Sequence, residues 1–205
     1  MDNNCVFCDR SQFEERLCGE TKDFWIIATL GQITDGGYVL LVPKRHVECI
    51  GAMEMAKINL LEKLVAQISD ALLKEYGAPS TTLFEHGIVG QTIKHAHLHI
   101  VPAKLDITHR IFADFPRNAV FFQAYLSQFC DAWKKIQMPY LLWKDSVVGG
   151  FKASLSPEAP LQYLRTVVAE TIGRPERANW RTMDPELDKK LWSETVRKLK
   201  PYFKS

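Results

Sequence analysis

His95-Ala96-His97-Leu98-His99-Ile100-Val101-Pro102 is the stretch that decides how the rest of this chain is read. Side chains alternate across a β-strand, so His95, His97 and His99 project from one face while Ala96, Leu98 and Ile100 turn into a core. Half of the protein's six histidines lie here. A His-rich surface strand or a plain metal patch would account for the alternation alone. The run also follows Gly90-Gln91-Thr92, a short polar loop suited to holding an anion with backbone amides.

Working outward, Phe24 to Ala28 and Tyr38 to Val42 are apolar, β-rich runs separated by Gly31 and Asp35-Gly36-Gly37, a hairpin pattern. Met53 to Tyr76 carries Leu61, Leu64, Val65, Ile68 and Leu72 at helical spacing, and Gly77 provides its stop. Thr81 to Glu85 reads as a strand, and Ile93 to Val101 as the strand beside it. The order β-β-α-β-β predicts an antiparallel sheet with one packed helix, an α+β layout.

Beyond Pro102 the pattern changes. Ala119 to Gln137 has Phe122, Tyr125, Phe129, Trp133 and Ile136 at helical spacing. Tyr140 to Trp143 and Val147 to Lys152 flank Gly149-Gly150 and read as a second hairpin. Gln162 to Thr171 fits strand or helix, and Gly173 favours helix. Asp184-Pro185 is an N-cap followed by proline at the first helical position, opening a last helix with Leu187, Leu191 and Leu199. The expected organisation is residues 1–105 as the first domain, with residues 106–205 as a mixed, mostly helical extension packed on it.

Composition narrows the function. A chain of 205 residues that is 46% hydrophobic and 24% charged is an ordinary globular protein. A net charge of +2 does not indicate a whole-surface attraction to nucleic acid, although a local basic site is compatible with it. No apolar run approaches the ~20 residues needed to span a bilayer. Five cysteines, an odd number, without an export signal suggest reduced thiols and a cytoplasmic protein. Cys5-x-x-Cys8 is a zinc half-site by spacing; free thiols or a redox pair are the other readings, and no strand-to-helix context supports the redox one. Cys18, Cys49 and Cys130 read as small apolar residues.

The triad resembles the histidine triad (HIT) nucleotide-binding family, whose pattern His-φ-His-φ-His-φ-φ (φ apolar) is matched without a gap. Gly37-Tyr38-Val39-Leu40-Leu41-Val42-Pro43-Lys44-Arg45-His46 is similar to the family's Gly-His-φ-Leu-φ-φ-Pro-Lys-x-His strand. The lead-in Gly90 to Lys94 looks like that of its dinucleoside-polyphosphate hydrolases. The likeness covers about residues 5–105; beyond it, Gln162-x-x-Arg165 faintly resembles the trailing segment of larger members.

That resemblance implies the HIT fold, a nucleotide substrate, a homodimer and these roles. His97 would attack the α-phosphorus, giving a covalent nucleotidyl-histidine that water cleaves to a nucleoside monophosphate. His99 would donate to the leaving oxygen, and His95 completes the catalytic triad. His rather than Gln at the third position favours hydrolysis over hexose-phosphate nucleotidyl transfer. Gln91, Thr92 and Lys94 would meet the substrate's phosphates. Cys5, Cys8, His46 and His95 would hold a structural zinc, with no organic cofactor. Two departures stand out: Tyr38 replaces the usual His, and Leu30 falls where many members carry the Asp or Asn that binds ribose hydroxyls. The Glu85-His86-Gly87 turn could substitute, or His86 could be a solvated loop residue. A nucleotidyltransferase or phosphorylase, or a non-catalytic nucleotide or RNA adaptor, are the competing functions. Arg174, Arg177 and Arg181 are candidate phosphate contacts, against a plain solvated basic face.

Overall fold

In the computed structural model, residues 5–118, 120–145 and 149–203 are described. Eight strands form one antiparallel sheet: β1 (Leu17–Glu20), β2 (Phe24–Ala28), β3 (Val39–Pro43), β4 (Thr82–Gly87), β5 (Leu98–Val101), β6 (Val120–Gln123), β7 (Tyr140–Lys144) and β8 (Phe151–Leu155). Their spatial order is β1-β2-β3-β5-β4-β7-β8-β6. The chain's second half therefore continues the sheet of the first, with β7 laid along β4 from Leu83↔Lys144 to Gly87↔Tyr140.

The helices are α1 (Met55–Tyr76), α2 (Thr108–Asp114), α3 (Leu126–Ile136), α4 (Tyr163–Thr171) and α5 (Pro185–Leu199). On one face α1, α3 and α5 cover Ile26, Leu41, Leu98, Ile100 and Leu142. On the other, α2 and α4 cover Tyr38, Phe84, Leu141 and Trp143, and an N-terminal arm places Phe7 and Phe13 over Ile27, Leu40 and Val42. Burial on both faces is why β3 reads Val-Leu-Leu-Val instead of alternating. The α1 helix stops at Gly77, whose φ of +62° suits a residue without Cβ. Asp184 caps α5 by accepting from the Leu187 N–H at 2.7 Å.

Several sequence expectations change. Only Leu98–Val101 is paired strand, so His95 and His97 precede it. The helix expected from Ala119 begins at Leu126. Val120–Gln123 pairs with β8 instead, because bulky β-favouring residues there find a strand edge. Ala119 itself lies outside the described residues. Gly149-Gly150 precedes the second hairpin strand, which begins at Phe151; Val147 and Val148 lie outside the described residues. Glu85, His86 and Gly87 belong to β4 and are buried, so His86 is not a solvated loop residue. Strand β1 was not anticipated.

Candidate functional site

His97 Nδ1 lies 2.5 Å from the backbone carbonyl of His95. A carbonyl only accepts, so Nδ1 carries the proton and Nε2 carries the lone pair. Burial lowers the His97 pKa, partly opposed by that hydrogen bond, which keeps the ring neutral near pH 7. His99 stacks on Phe84 with ring centroids 4.2 Å apart, and its centroid is 4.9 Å from that of His97. Burial holds His99 well below the ordinary histidine range. Its Nδ1 is 2.5 Å from the Tyr38 hydroxyl, and its Nε2 is a buried polar atom with no hydrogen-bond partner among the described residues.

Both rings open into a cavity of about 460 Å³. The first half supplies Phe7, Arg16, Leu30 and Thr92 to its wall, and the second half supplies Gln162, Arg165, Trp180 and Arg181. Three arginines and three histidines line it and no carboxylate does, so the described wall favours an anion. Leu30 is 38% exposed on this wall, an apolar patch beside Trp180.

Among the expected substrate contacts, Thr92 and His86 line the cavity, whereas Gln91 and Lys94 do not. Gln91 donates its amide to the Glu48 carbonyl at 2.9 Å, and Lys94 is exposed. His86 is buried, with its Nε2 accepting the Leu164 N–H at 3.0 Å. Arg181 reaches the cavity wall. Arg174 and Arg177 instead bind Asp35, pulling its carboxyl down to about 2 through the Arg174 hydrogen bonds first. Their role is to pin the β2–β3 loop.

Sequence reasoning named Arg165 only through the faint Gln162-x-x-Arg165 likeness and gave it no role in the site. It is 4% exposed, and its hydrogen bonds reach the carbonyls of Gly31, Arg177 and Ala178. The available signal was a single cation inside the apolar run Tyr163 to Ala169. Gly31 permits the approach: at φ +67°, a Cβ there would sit 2.4 Å from Trp180 Cβ. Asp188 of α5 fixes the same loop, accepting the Gly31 and Gln32 N–H groups at 3.0 Å each.

A second cluster joins Cys5, Cys8, His46 and His95, with all four ligand atoms within 4.8 Å of one another. Cys5 Sγ lies 3.3 Å from His95 Nδ1, and Cys8 Sγ 3.4 Å from His46 Nδ1. Zinc bonds of about 2.3 Å to sulfur and 2.0 Å to nitrogen give tetrahedral edges of roughly 3.5 Å, so the donor set fits this metal. His95 Nε2 donates to the Pro43 carbonyl at 2.8 Å, orienting the ring as a metal ligand requires. Cys18 and Cys49, by contrast, are driven up to about 12 by burial, and Cys130 is also raised.

Among curated proteins, the chain is 28% identical over 107 residues to "Adenylylsulfatase HINT3" of Arabidopsis thaliana, covering 51% of this chain and 54% of that protein. It thus spans about half the length of that relative. It is 30% identical over 105 residues to "Uncharacterized HIT-like protein MG132" of Mycoplasma genitalium, covering 49% of this chain and 73% of that one. A HIT family protein from Bacillus anthracis is among the similar solved structures, at 27% identity and TM-score 0.45 over 50% of this chain and 75% of that one. The family model described as "Scavenger mRNA decapping enzyme C-term binding" matches residues 4–111 of the 205. On that match, the chain belongs to the family this model describes, within the histidine triad (HIT) proteins.

Proposed function

We propose that the protein is a phosphohydrolase that cleaves a nucleotide-containing substrate at its α-phosphorus and releases a nucleoside monophosphate. The observation that carries this reading is the His97 ring, held by the His95 carbonyl with its Nε2 lone pair available beside an arginine-lined cavity. The Nε2 lone pair attacks phosphorus, and the P–N bond to His97 forms as the leaving group departs. His99 donates to the leaving atom. Thr92 and the backbone of the Gly90 turn bind non-bridging oxygens, where charge gathers during phosphoryl transfer. Leu30 offers no hydrogen bond to a ribose, so recognition there is by apolar contact with Trp180 nearby. Cys5, Cys8, His46 and His95 would hold zinc, which ties the N-terminal arm to the triad segment and has no chemical role.

The homodimer implied by the resemblance cannot use β4, whose free edge β7 already occupies. We place a second copy on the β1 or β6 edge or on the outer face of α1. Light scattering at micromolar concentration should then give twice 23.5 kDa.

Rapid mixing with a nucleotide labelled at the α-phosphorus, quenched in detergent at neutral pH, should trap label on His97. His97→Ala should remove the adduct and nearly all turnover while substrate still binds. Full activity in His97→Ala would overturn the reading. Label transferred to added inorganic phosphate would assign phosphorolysis in place of hydrolysis.

A further inference from the structure

Tyr38 directly precedes β3, and its surroundings give the hydroxyl a definite direction. It is fully buried beside the stacked Phe84 and His99 rings, 6.4 and 5.7 Å from their centroids. The Arg165 guanidinium carbon lies 5.4 Å from its ring centroid. Among the described residues the phenol proton has one partner of suitable geometry, His99 Nδ1 at 2.5 Å. With Nδ1 accepting, His99 carries its proton on Nε2, a buried atom without a hydrogen-bond partner among the described residues, on a ring that lines the cavity.

We propose that Tyr38, His99 and Arg165 form a proton relay that serves leaving groups unable to depart as anions. The proposal rests on the hydrolase reading above. As the bond from His97 Nε2 to phosphorus forms, the bond from phosphorus to the leaving atom breaks, and its electron pair goes to that atom. The leaving atom takes the Nε2 proton of His99. Nδ1 takes the Tyr38 proton in the same step, so no imidazolate arises. The phenolate left on Tyr38 faces the Arg165 cation. In the second step water attacks phosphorus and the bond to His97 breaks, returning its pair to Nε2. The water proton passes to His99 Nε2, and the Nδ1 proton returns to Tyr38. Both protons are restored at the end of one turnover. Arg165 thus acts through Tyr38 and is a positioning residue, contributed by the second half of the chain.

Tyr38→Phe keeps the packing and removes the proton. With adenosine 5′-phosphoramidate, whose amine must leave protonated, turnover should fall by roughly 100-fold, the lower end expected for lost general-acid help. With the p-nitrophenyl ester of AMP, whose leaving group is stable as an anion, the burst of p-nitrophenolate should keep its rate. Tyr38→His, which can also pass a proton between two atoms, should recover part of the phosphoramidate activity. Equal losses on both substrates, or none on either, would overturn the relay. Nitrogen-15 NMR of the imidazoles provides a readout independent of turnover. His99 should carry its proton on Nε2 in the unaltered protein and lose that preference in Tyr38→Phe. An Nδ1-protonated His99 in the unaltered protein would overturn the relay even if hydrolysis is found. The Nε2 form in a protein that hydrolyses neither substrate would instead count against the hydrolase reading alone.

Discussion

Leu164, in the first turn of α4, donates its backbone N–H to Nε2 of His86, a β4 residue 78 positions earlier, at 3.0 Å. A helix start leaves its first N–H groups without intrahelical partners, and here a side chain from the central sheet satisfies one of them. Burial drives the His86 pKa down to about 3, so the ring stays neutral and can accept. His86→Ala would strand the Leu164 donor in the interior, at a cost of about 1–3 kcal/mol. A domain of this size should lose about 2–4 °C of Tm for each kcal/mol. Thermal denaturation checks this; an unchanged Tm would mean that the α4 start finds another partner.

Glu85, the neighbouring β4 residue, should make stability depend on pH. Burial pushes its carboxyl up to about 8, against hydrogen bonds from the Tyr140 hydroxyl at 2.6 Å and the Ile50 N–H at 2.8 Å. The folded state therefore binds this proton more tightly than the unfolded chain does, whose carboxyl titrates near 4.3. The stabilisation is complete below the unfolded value and is lost as pH rises through about 8. Calorimetry from pH 5 to 9 should show the Tm of the unaltered protein falling by several degrees relative to Glu85→Gln. Parallel curves would contradict the assignment.

Gly31→Ala tests the wall built by the second half. A Cβ at Gly31 meets Trp180 Cα at 2.7 Å, and backbone cannot swing aside as a side-chain tip can. The Trp180 segment should lift from the cavity while the His97 hydrogen bond to His95 stays intact. KM should rise by roughly tenfold, about 1.4 kcal/mol of binding, with a smaller change in kcat. Steady-state kinetics that show kcat alone falling would place Trp180 outside the binding surface.

The Cys5, Cys8, His46 and His95 cluster predicts about one zinc per chain by elemental analysis of protein purified without chelator. Removing the metal should lower the Tm, because binding to the folded arrangement adds directly to its stability. Cys8→Ser should reproduce that loss, whereas Cys18→Ser should leave the metal content intact. Protein free of zinc with an unchanged Tm would refute the site.

Legibility in the sequence followed the range of the interactions involved. The first hairpin, α1 with its Gly77 stop, and the Asp184 cap of α5 are written in local periodicity and turn chemistry, and the sequence places them within two residues. The triad alternation is similarly local: Ala96, Leu98 and Ile100 do face the core beneath α1. The short strands β1 and β6 have no local signature that competes with helical spacing, and they exist because a neighbouring strand offers hydrogen bonds. The role of Arg165 was hidden for a related reason. Its three carbonyl partners lie on the Gly31 loop and the segment after α4, and only the folded chain brings them together.

The pairing of β7 with β4 bears on any attempt to shorten the chain. A fragment ending near residue 105 would present Thr82 to Gly87 as a bare rim of main-chain donors and acceptors, next to side chains such as Leu83 and Phe84 that were never selected for water. Such a rim is a template on which further copies can add. The second half thus guards the first against self-association, and a trimmed version made to isolate the triad should precipitate before its chemistry can be measured.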